Sequence, residues 1–389
     1  MHKRLPAKPS KPISMARPYF SPEDIEVFLR ESEQILKGGY VSMGPWVQKF
    51  QESAIHAHGT RFAFATNSCT SALEVSLLAC GVKPGDRVIV PVETCVATGM
   101  AVHNVGATPV FADIREATLC LDANELERLA TDKVKAVILV QFGGVITPDI
   151  VRIQEICSNR DWALIEDAAH ALGAKFHGRP AGSFGATACF SYYPTKVLTT
   201  GEGGMIVTND EQIAENCRSH QLRGQDVNQP GEHYIRPYGR NVRLSELSAL
   251  LGVLQYARLE EFVRQRRLVA AVYDEVLADE PSISFPKFAS ECFHNYWRYT
   301  TILPKGVDRE TIKKRCKEDW HVDVDWSYFP PLHLMPVFRE LYGTAPGDLP
   351  VAEDLLARIV CLPIHPLISE ADAARVAECF LYVYRELTA

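Results

Sequence analysis

The sequence contains no CxxC pair, no cysteine–histidine cluster at the spacing of a zinc site, and no apolar run long enough to span a membrane. Its 11 cysteines are scattered along 389 residues. Dispersed cysteines are typical of a reducing compartment, where each behaves as a small apolar residue. We therefore expect a cytoplasmic protein that binds no metal ion and does not enter a membrane.

The N-terminal segment MHKRLPAKPSKPISMAR is basic and rich in proline, and it has no apolar stretch. A secretory signal peptide needs such a stretch, so we expect no signal peptide. The composition of the segment predicts a loose arm.

The sequence also has no excess of positive charge: it contains 41 Lys and Arg residues and 48 Asp and Glu residues, which give a net charge of −7. A general nucleic-acid-binding protein carries the opposite excess, so we expect no nucleic-acid partner. The chain is 47% hydrophobic, which is enough for two cores. We predict an N-terminal arm and large domain over residues 1–258, and a bridging helix and small C-terminal domain over 259–389.

Short apolar strands alternate with helical patterns along the first half of the chain. Strands are predicted at Pro109–Ala112 and Val134–Val140, with a helix at Ala123–Ala130 between them. This alternation predicts α/β architecture with a mostly parallel sheet. Farther on, Arg223–Arg243 is polar and rich in glycine and proline, which predicts a long loop.

One lysine, Lys196, stands between two apolar runs in the stretch FSYYPTKVLTTGEGGMIV. A lysine in a turn between two strands suits a Schiff base with a bound aldehyde. Gly201, Gly203 and Gly204 follow it, and we expect them to adopt positive φ and approach a flat ligand. The alternative is an ordinary surface lysine in a hairpin loop.

A second stretch, WALIEDAAHALGA, reads as a strand that ends in the acidic pair Glu166-Asp167. Ligands of open α/β sheets lie at the carboxyl ends of the strands, so Asp167 is placed to face one. A carboxylate in this position can keep the pyridine nitrogen of pyridoxal phosphate protonated. The alternative for Asp167 is a helix N-cap.

Hydroxyl residues mark a third candidate position, at Asn67–Ser71, between a strand that ends at Thr66 and a helix predicted at Ala72–Cys80. A strand-to-helix turn directs free backbone N–H groups and the positive end of the helix to one point, which is an anion site. Simple N-capping is the alternative.

Together these stretches resemble the DegT/DnrJ/EryC1/StrS family of sugar aminotransferases. The segments that carry the resemblance include EDAAHALGA, GSFGATACFSYYPTK, TTGEGGMIVTND, GGYVSMGP, KPGDRVIVP, YGRNVRLSEL and LPIHP, in one order over most of the chain. The resemblance implies a type I pyridoxal phosphate fold, like that of aspartate aminotransferase, with a mixed, mostly parallel sheet in the large domain and a smaller C-terminal α+β domain. It also implies a homodimer with active sites shared across the interface.

The resemblance assigns roles to individual residues. It implies that Lys196 holds pyridoxal 5'-phosphate and moves the proton, and that Asp167 pairs with the pyridine nitrogen. The family commonly has an aromatic residue at the position of Cys95, stacked on the ring, and here a thiol takes its place. The remaining cofactor contacts that it implies are Thr70, Ser71, His170, Ser191 and, from the other subunit, Asn241. The candidate substrate contacts are Arg243, which the resemblance also places in the other subunit's site, Tyr328 and His333. The alternative for Arg243 is a solvated charge, and the alternative for His333 is a packed or exposed histidine with no ligand.

The implied reaction moves an amino group from L-glutamate or L-glutamine to a keto sugar, most simply a nucleotide-linked keto-deoxysugar. A keto-cyclitol of the aminoglycoside type is an alternative acceptor. Relatives that act as sugar 3-dehydratases carry histidine at the lysine position, so Lys196 argues against that chemistry. A non-catalytic regulator with the same fold remains a second alternative.

Overall fold

The computed structural model describes residues 8, 9, 11–226, 228, 229 and 233–389. Residues 1–7 and 10 of the predicted loose arm lie outside the described residues, as do 227 and 230–232 of the predicted loop. Within the described part of the chain, no helix combines the length and the apolar character needed to cross a membrane.

The strands form three sheets, of seven, three and two strands. The largest has the order β1-β9-β8-β5-β4-β2-β3. The strands are β1 (Phe62–Thr66), β2 (Arg87–Pro91), β3 (Thr108–Ala112), β4 (Val134–Val140), β5 (Ala163–Asp167), β6 (Lys175–Phe176), β7 (Arg179–Pro180), β8 (Thr187–Ser191), β9 (Gly204–Thr208), β10 (Cys292–Phe293), β11 (Tyr299–Ile302) and β12 (Ile359–Leu362).

Helices connect and cover these strands. They are α1 (Pro22–Gly38), α2 (Pro45–His58), α3 (Cys69–Ala79), α4 (Val96–Asn104), α5 (Ala123–Arg128), α6 (Ile150–Asn159), α7 (Glu211–Gln221), α8 (Glu246–Tyr256), α9 (Leu259–Leu277), α10 (Arg309–Trp320), α11 (Pro336–Tyr342), α12 (Pro350–Leu356) and α13 (Glu370–Thr388). Short 3-10 turns lie at Phe142–Gly144 and Leu332–Leu334.

In the seven-stranded sheet β9 runs antiparallel to β1 and β8, and the other neighbouring strands are parallel. The carboxyl ends of β1, β2, β4, β5 and β8 therefore meet at one edge of the sheet. The predicted α/β class with a mixed, mostly parallel sheet is confirmed. This edge is where a ligand site is expected.

Both faces of the sheet are covered, because successive side chains of a strand point to opposite faces. On β4, Val137 and Leu139 belong to one apolar cluster, whereas Ala136 and Ile138 belong to the other. All four side chains have no exposed surface. A strand buried on both faces reads as a continuous apolar run, which is why β4 was predictable residue for residue.

A third apolar cluster is built from α9, α10, α13 and the antiparallel pair β11–β12. It includes Ile13, whose N–H donates to the carbonyl of His321 at 2.9 Å. The described end of the N-terminal arm is thus docked on the C-terminal part of the chain, so the expectation of a loose arm is wrong there. The domain boundary at 258/259 stays a prediction.

Candidate active site

A cavity of about 410 Å³ opens at the carboxyl edge of the seven-stranded sheet. It lies within the range of small-molecule sites, which is about 300–1,000 Å³. Segments that follow β1, β2, β5 and β8 meet there, joined by two segments from the C-terminal part of the chain. The lining includes Ser68, Cys69, Thr70, Thr94, Cys95, Thr98, Asp167, His170, Ser191, Lys196, Glu202, Trp297, Arg298, Ser327 and Tyr328.

Lys196 lies in the turn after β8, where its N–H donates to the carbonyl of Tyr193 at 2.9 Å. Its Nζ atom is 4.4 Å from the ring centroid of Trp297. Burial lowers the pKa of Lys196 from 10.5 to about 8, and the charge of Arg298 acts in the same direction, while Asp167 opposes both. Near neutral pH this lysine therefore has a much larger neutral, nucleophilic fraction than an ordinary lysine.

Asp167 is the last residue of β5 and is 4% exposed. Its Oδ2 accepts a hydrogen bond from the Thr98 hydroxyl at 2.8 Å, and its Oδ1 accepts one from the N–H of Ala169 at 3.2 Å. Burial raises the pKa of Asp167, whereas these hydrogen bonds and the charge of Lys196 lower it. The carboxylate is fixed in direction and lies in one cavity with the lysine.

His170 stacks face to face on Trp297, with ring centroids 3.6 Å apart and an interplanar angle of 2°. Its Nε2 is 3.2 Å from the hydroxyl of Tyr328. Its buried Nδ1 has no hydrogen-bond partner among the described residues. Burial lowers the pKa of His170 well below its ordinary value, with Lys196 and Arg298 adding to the effect, so the ring is neutral. A neutral imidazole with a free nitrogen can bind a polar ligand atom.

Helix α3 begins at Cys69, three residues before the predicted start, with Ser68 as its N-cap. The Oγ of Ser68 accepts from the N–H of Ser71 at 3.1 Å and donates to the Ser71 hydroxyl at 3.0 Å. Thr70 lines the cavity, but Ser71 is not among the described lining residues because its hydroxyl turns to Ser68. The helix start nevertheless brings its free N–H groups to the cavity, which is a site for an anion.

Cys95 also lines the cavity, as the N-cap residue of α4. Ser191, at the end of β8, and Tyr328 complete the predicted residues that the structure gathers there. Of the three glycines predicted to adopt positive φ and approach a ligand, only Gly201 has a positive φ, +80°, and only Gly203 lines the cavity. Gly204 belongs to β9, where a Cβ atom would lie 2.3 Å from the carbonyl oxygen of Ser68, so close backbone approach explains the glycine there.

His333 does not reach the cavity, so the prediction that it contacts substrate is wrong for this arrangement. Its side chain is fully buried, and its Nε2 lies 3.0 Å from Oε1 of Glu353. The backbone N–H of the preceding residue, Leu332, donates to the carbonyl of Val92 at 3.0 Å, and Val92 directly follows β2. This packing turns the imidazole into the protein interior.

Asn241 and Arg243 also lie outside this chain's cavity. Asn241 forms an isolated bridge with Leu222, and Arg243 forms one with Thr66 at the end of β1. Arg243 lines a separate surface depression of about 460 Å³, together with Met43. The resemblance assigned both residues to the site of a second subunit, and the structure of one chain leaves that assignment a prediction.

Of the lining residues that were not predicted from the sequence, three shape the site most directly. Thr98 orients Asp167, and Trp297 and Arg298 close the cavity from the C-terminal part of the chain. Thr98 follows Thr94 by one helical turn, and their hydroxyls are 2.8 Å apart. The spacing of the two threonines could have indicated that their hydroxyls lie close together. The sequence around Trp297 contains no comparable indication of a site residue.

The model of the DegT/DnrJ/EryC1/StrS aminotransferase family matches residues 22–381 of the chain. The chain belongs to this family. It is 36% identical over 337 residues to GDP-perosamine synthase of Caulobacter vibrioides, with 86% of this chain and 89% of that protein covered. The family assignment made from the sequence is confirmed, and with it the assignment as an aminotransferase.

Two solved structures extend the comparison. DesI, determined in the presence of its TDP-sugar product, matches with a TM-score of 0.88 and 29% identity, and covers 98% of this chain and 96% of its own. NtdA from Bacillus subtilis, with bound cofactor PMP, matches with a TM-score of 0.86 and 26% identity, and covers 94% of this chain and 83% of its own. The type I fold and the dependence on pyridoxal 5'-phosphate are confirmed.

The cavity of this chain fits that cofactor. It offers an amine with a lowered pKa, a buried carboxylate fixed by two hydrogen bonds, and a helix start for a phosphate. Asp167 ends β5 and Lys196 follows the adjacent parallel strand β8, in which Cys189 pairs in register with Asp167. The topology therefore places the two groups on one side of the sheet.

Proposed function

We propose that this aminotransferase moves the amino group of L-glutamate or L-glutamine to a nucleotide-linked keto sugar. The observation that carries the proposal is the meeting of Lys196 and Asp167 in one cavity of a sugar aminotransferase fold. The relatives support the acceptor class, because one is a GDP-perosamine synthase and another was solved in the presence of its TDP-sugar product.

When bound, pyridoxal 5'-phosphate supplies an electron sink beside the carbon from which a proton is removed. The chain supplies the base. Nζ of Lys196 has a pKa of about 8, so it can accept a proton and return it near neutral pH. Nζ also lies over the ring of Trp297, and the ring's negative face stabilises the protonated amine during the transfer.

Asp167 would face the ring nitrogen of the cofactor. Its two hydrogen bonds, from Thr98 and from the N–H of Ala169, leave the carboxylate fixed but not neutralised by a cationic partner. A protonated nitrogen beside it would regain the charge pairing that burial otherwise penalises. The neutral His170 would donate or accept one hydrogen bond at the cofactor, and the start of α3 would hold the phosphate with Thr70 and Ser191.

The absorption spectrum of the purified protein tests this function directly. We expect the purified protein to show the absorption band of bound pyridoxal phosphate. Adding glutamate or glutamine should replace this band with that of the aminated cofactor, and adding a keto sugar should then restore the first band. The amino acid that shifts the band is thereby identified as the donor. A non-catalytic regulator would bind the cofactor, but neither amino acid would change its spectrum, and that result would overturn the proposal.

We further propose that the working unit is a homodimer with shared active sites. Apolar side chains are exposed on α1 and in the turn that follows it: Leu29 is 64% exposed, Tyr40 75% and Met43 56%. Met43 borders the same depression as Arg243. Exposed apolar surface of this kind marks an interaction site, and a second copy placed there would bring Asn241 and Arg243 towards its partner's cavity.

Subunit complementation tests the shared site. Lys196→Ala and Arg243→Ala proteins are each expected to be inactive. In a heterodimer of the two, one site has both native residues, so we expect about half of the wild-type activity to return. Differently tagged chains allow the heterodimer to be purified and assayed. A heterodimer no more active than its parents, or a fully active monomer, would contradict the shared site.

The eleven cysteines are all free, and seven of them, among them Cys189 and Cys316, are buried. Free cysteines in these numbers are typical of a reducing compartment. This supports the proposal of a cytoplasmic location.

A further inference from the structure

Arg298 lines the cavity, but neither the cofactor contacts nor the proton transfer requires it. Its buried Nε atom has no hydrogen-bond partner among the described residues. Its Nη1 makes only a long contact of 3.4 Å, to the carbonyl of Trp297. No ion pair to Arg298 is found in the described part of the chain, and the nearby Asp325 pairs with Lys313 at 2.8 Å. A guanidinium that has a buried Nε atom and no acid beside it is costly, and it is a candidate for ligand binding.

The position of Arg298 is fixed by its neighbours. Its backbone N–H donates to the carbonyl of Gly143 at 3.1 Å, at the entry to β11. Its guanidinium lies over the ring of Trp297, 4.2 Å from the centroid. The indole N–H of Trp297 donates to the carbonyl of Thr195 at 2.9 Å, directly before Lys196. One tryptophan thus holds the arginine and the lysine in a common arrangement.

The two cations are neighbours. Nζ of Lys196 is 4.4 Å from the centroid of the same Trp297 ring. The charge of Arg298 contributes to the lowered pKa of both Lys196 and His170. Among the described residues of the lining, Lys196 and Arg298 are the only lysine and arginine. Because Lys196 is committed to the cofactor, Arg298 is the cation left for a substrate anion.

We propose that Arg298 binds the α-carboxylate of the amino donor and so positions the donor's amine beside Lys196. This inference rests on the proposed aminotransferase function. A guanidinium that stacks on an aromatic ring keeps its edge free, and that edge matches a carboxylate with two parallel hydrogen bonds. The α-carboxylate is one carbon away from the amine, which suits an arginine placed beside the lysine.

The choice of this anion follows from its place in the ligand. The cofactor phosphate would be held separately, at the start of α3, where Ser68 caps the helix. The phosphates of a nucleotide-linked sugar are separated from the reacting carbon by the sugar ring. L-Glutamate and L-glutamine both carry the α-carboxylate, so the inference holds for either donor. Burial lowers the pKa of Arg298, and a bound carboxylate would offset that cost.

The test compares the reacting donor with its 1-amide, in which the α-carboxylate is replaced by a neutral amide. We expect wild-type protein to prefer the donor by about 100-fold in the apparent dissociation constant from spectral titration, as for a buried charge pair. Arg298→Leu should bring that ratio close to one. Arg298→Lys keeps the charge but not the paired hydrogen bonds, and it should give an intermediate ratio.

A non-reacting ligand gives a second measurement that does not depend on turnover. The α-methyl analogue of the donor lacks the hydrogen that Lys196 must remove, and its binding is read at equilibrium. We expect Arg298→Leu to raise the dissociation constant of this analogue by about 100-fold. Arg267→Leu is the matched control: Arg267 stacks on Phe293 at 4.3 Å and lies outside the cavity, so its loss should leave both measurements unchanged.

The outcomes separate this inference from the proposed function. If neither amino acid changes the wild-type spectrum, the aminotransferase proposal fails. If the wild-type protein reacts but does not discriminate the donor from its 1-amide, or if Arg298→Leu keeps the wild-type ratio, Arg298 does not bind the carboxylate. If Arg298→Leu weakens the binding of pyridoxal phosphate and leaves the ratio of donor to 1-amide affinity unchanged, the anion that Arg298 binds is the cofactor phosphate, and the inference is overturned.

Discussion

Replacing Lys196 with alanine is expected to abolish amino transfer, with a loss of at least about 10⁴-fold in the rate of the first half-reaction. The described residues that line the cavity include no second lysine that could replace Lys196 as the base. Alanine removes both the group that attaches to the cofactor and the base that moves the proton. Single-turnover spectroscopy with the reacting amino acid measures this rate without needing the sugar acceptor.

The fold should survive this substitution. Lys196 is only half-buried, and its contact of 4.4 Å with the Trp297 ring is replaceable by water. We expect the free energy of unfolding to change by no more than about 1 kcal/mol. Lys175→Ala, at an exposed lysine of β6, is the control and should leave the rate unchanged. Measurable turnover by the Lys196→Ala protein would show that another group is the base.

Small amines provide a sharper version of the same experiment. If Lys196 acts as a base, added methylamine should restore part of the rate to the alanine variant, because the space left by the side chain opens into a cavity of about 410 Å³. The same amine should have no effect on the wild-type protein. Loss of activity without rescue, together with a lowered melting temperature, would instead indicate a structural role.

The sequence predicted the strands best where burial on both faces leaves a continuous apolar run. The predicted strand Val134–Val140 is found with the same bounds, and Pro109–Ala112 is one residue short of β3. Both belong to parallel strands in the middle or at the end of the large sheet. Helix starts were less predictable: α3 begins at Cys69 because the Ser68 side chain caps it, although two later residues, Thr70 and Ser71, are also suitable caps.

Lys196 and Asp167 could be predicted because Asp167 ends one strand and Lys196 follows another, and the strands of a parallel sheet end at one edge. His333 was misplaced for the opposite reason. It lies in a loop whose path is set by long-range packing, and the contact with Glu353 is not visible in local sequence. Trp297 and Arg298 were missed because about 100 residues separate them from Lys196, and only tertiary packing brings them to the cavity.

Asp167→Asn is the second substitution with a large expected effect. An asparagine keeps the shape of the side chain but cannot hold a positive charge on the cofactor's ring nitrogen. An opposite charge at hydrogen-bond distance shifts a pKa by about 1–3 units, so the rate of proton removal should fall by about 10–1,000-fold. Stability should change little, because the amide oxygen can still accept from the N–H of Ala169 and the amide NH2 can donate to the Thr98 hydroxyl, which is able to turn and accept.

Glu166→Gln is the matched control, since Glu166 is the preceding residue of β5 and is fully buried. Its carboxylate accepts from the N–H groups of Gly182, Phe184 and Gly185 at 2.8–3.1 Å. A glutamine there turns an amide towards backbone donors and should cost about 1–3 kcal/mol of stability. We expect opposite results from the pair: the Asp167 variant is folded but slow, and the Glu166 variant is destabilised but reacts normally where folded.

The pH dependence of cofactor binding separates the charge of Asp167 from its shape. Burial raises the pKa of this carboxyl in the cofactor-free protein, so it takes up a proton at a higher pH than an ordinary aspartate does. A cofactor that prefers the ionised carboxylate must then bind less tightly as the pH falls through that raised pKa. Asparagine has no proton to take up, so the affinity of the Asp167→Asn protein for pyridoxal 5'-phosphate should be lower at neutral pH and should lose this part of the acid dependence. Parallel titrations of wild-type and variant protein between about pH 5 and 8 measure the difference. Identical curves would show that Asp167 does not pair with the cofactor.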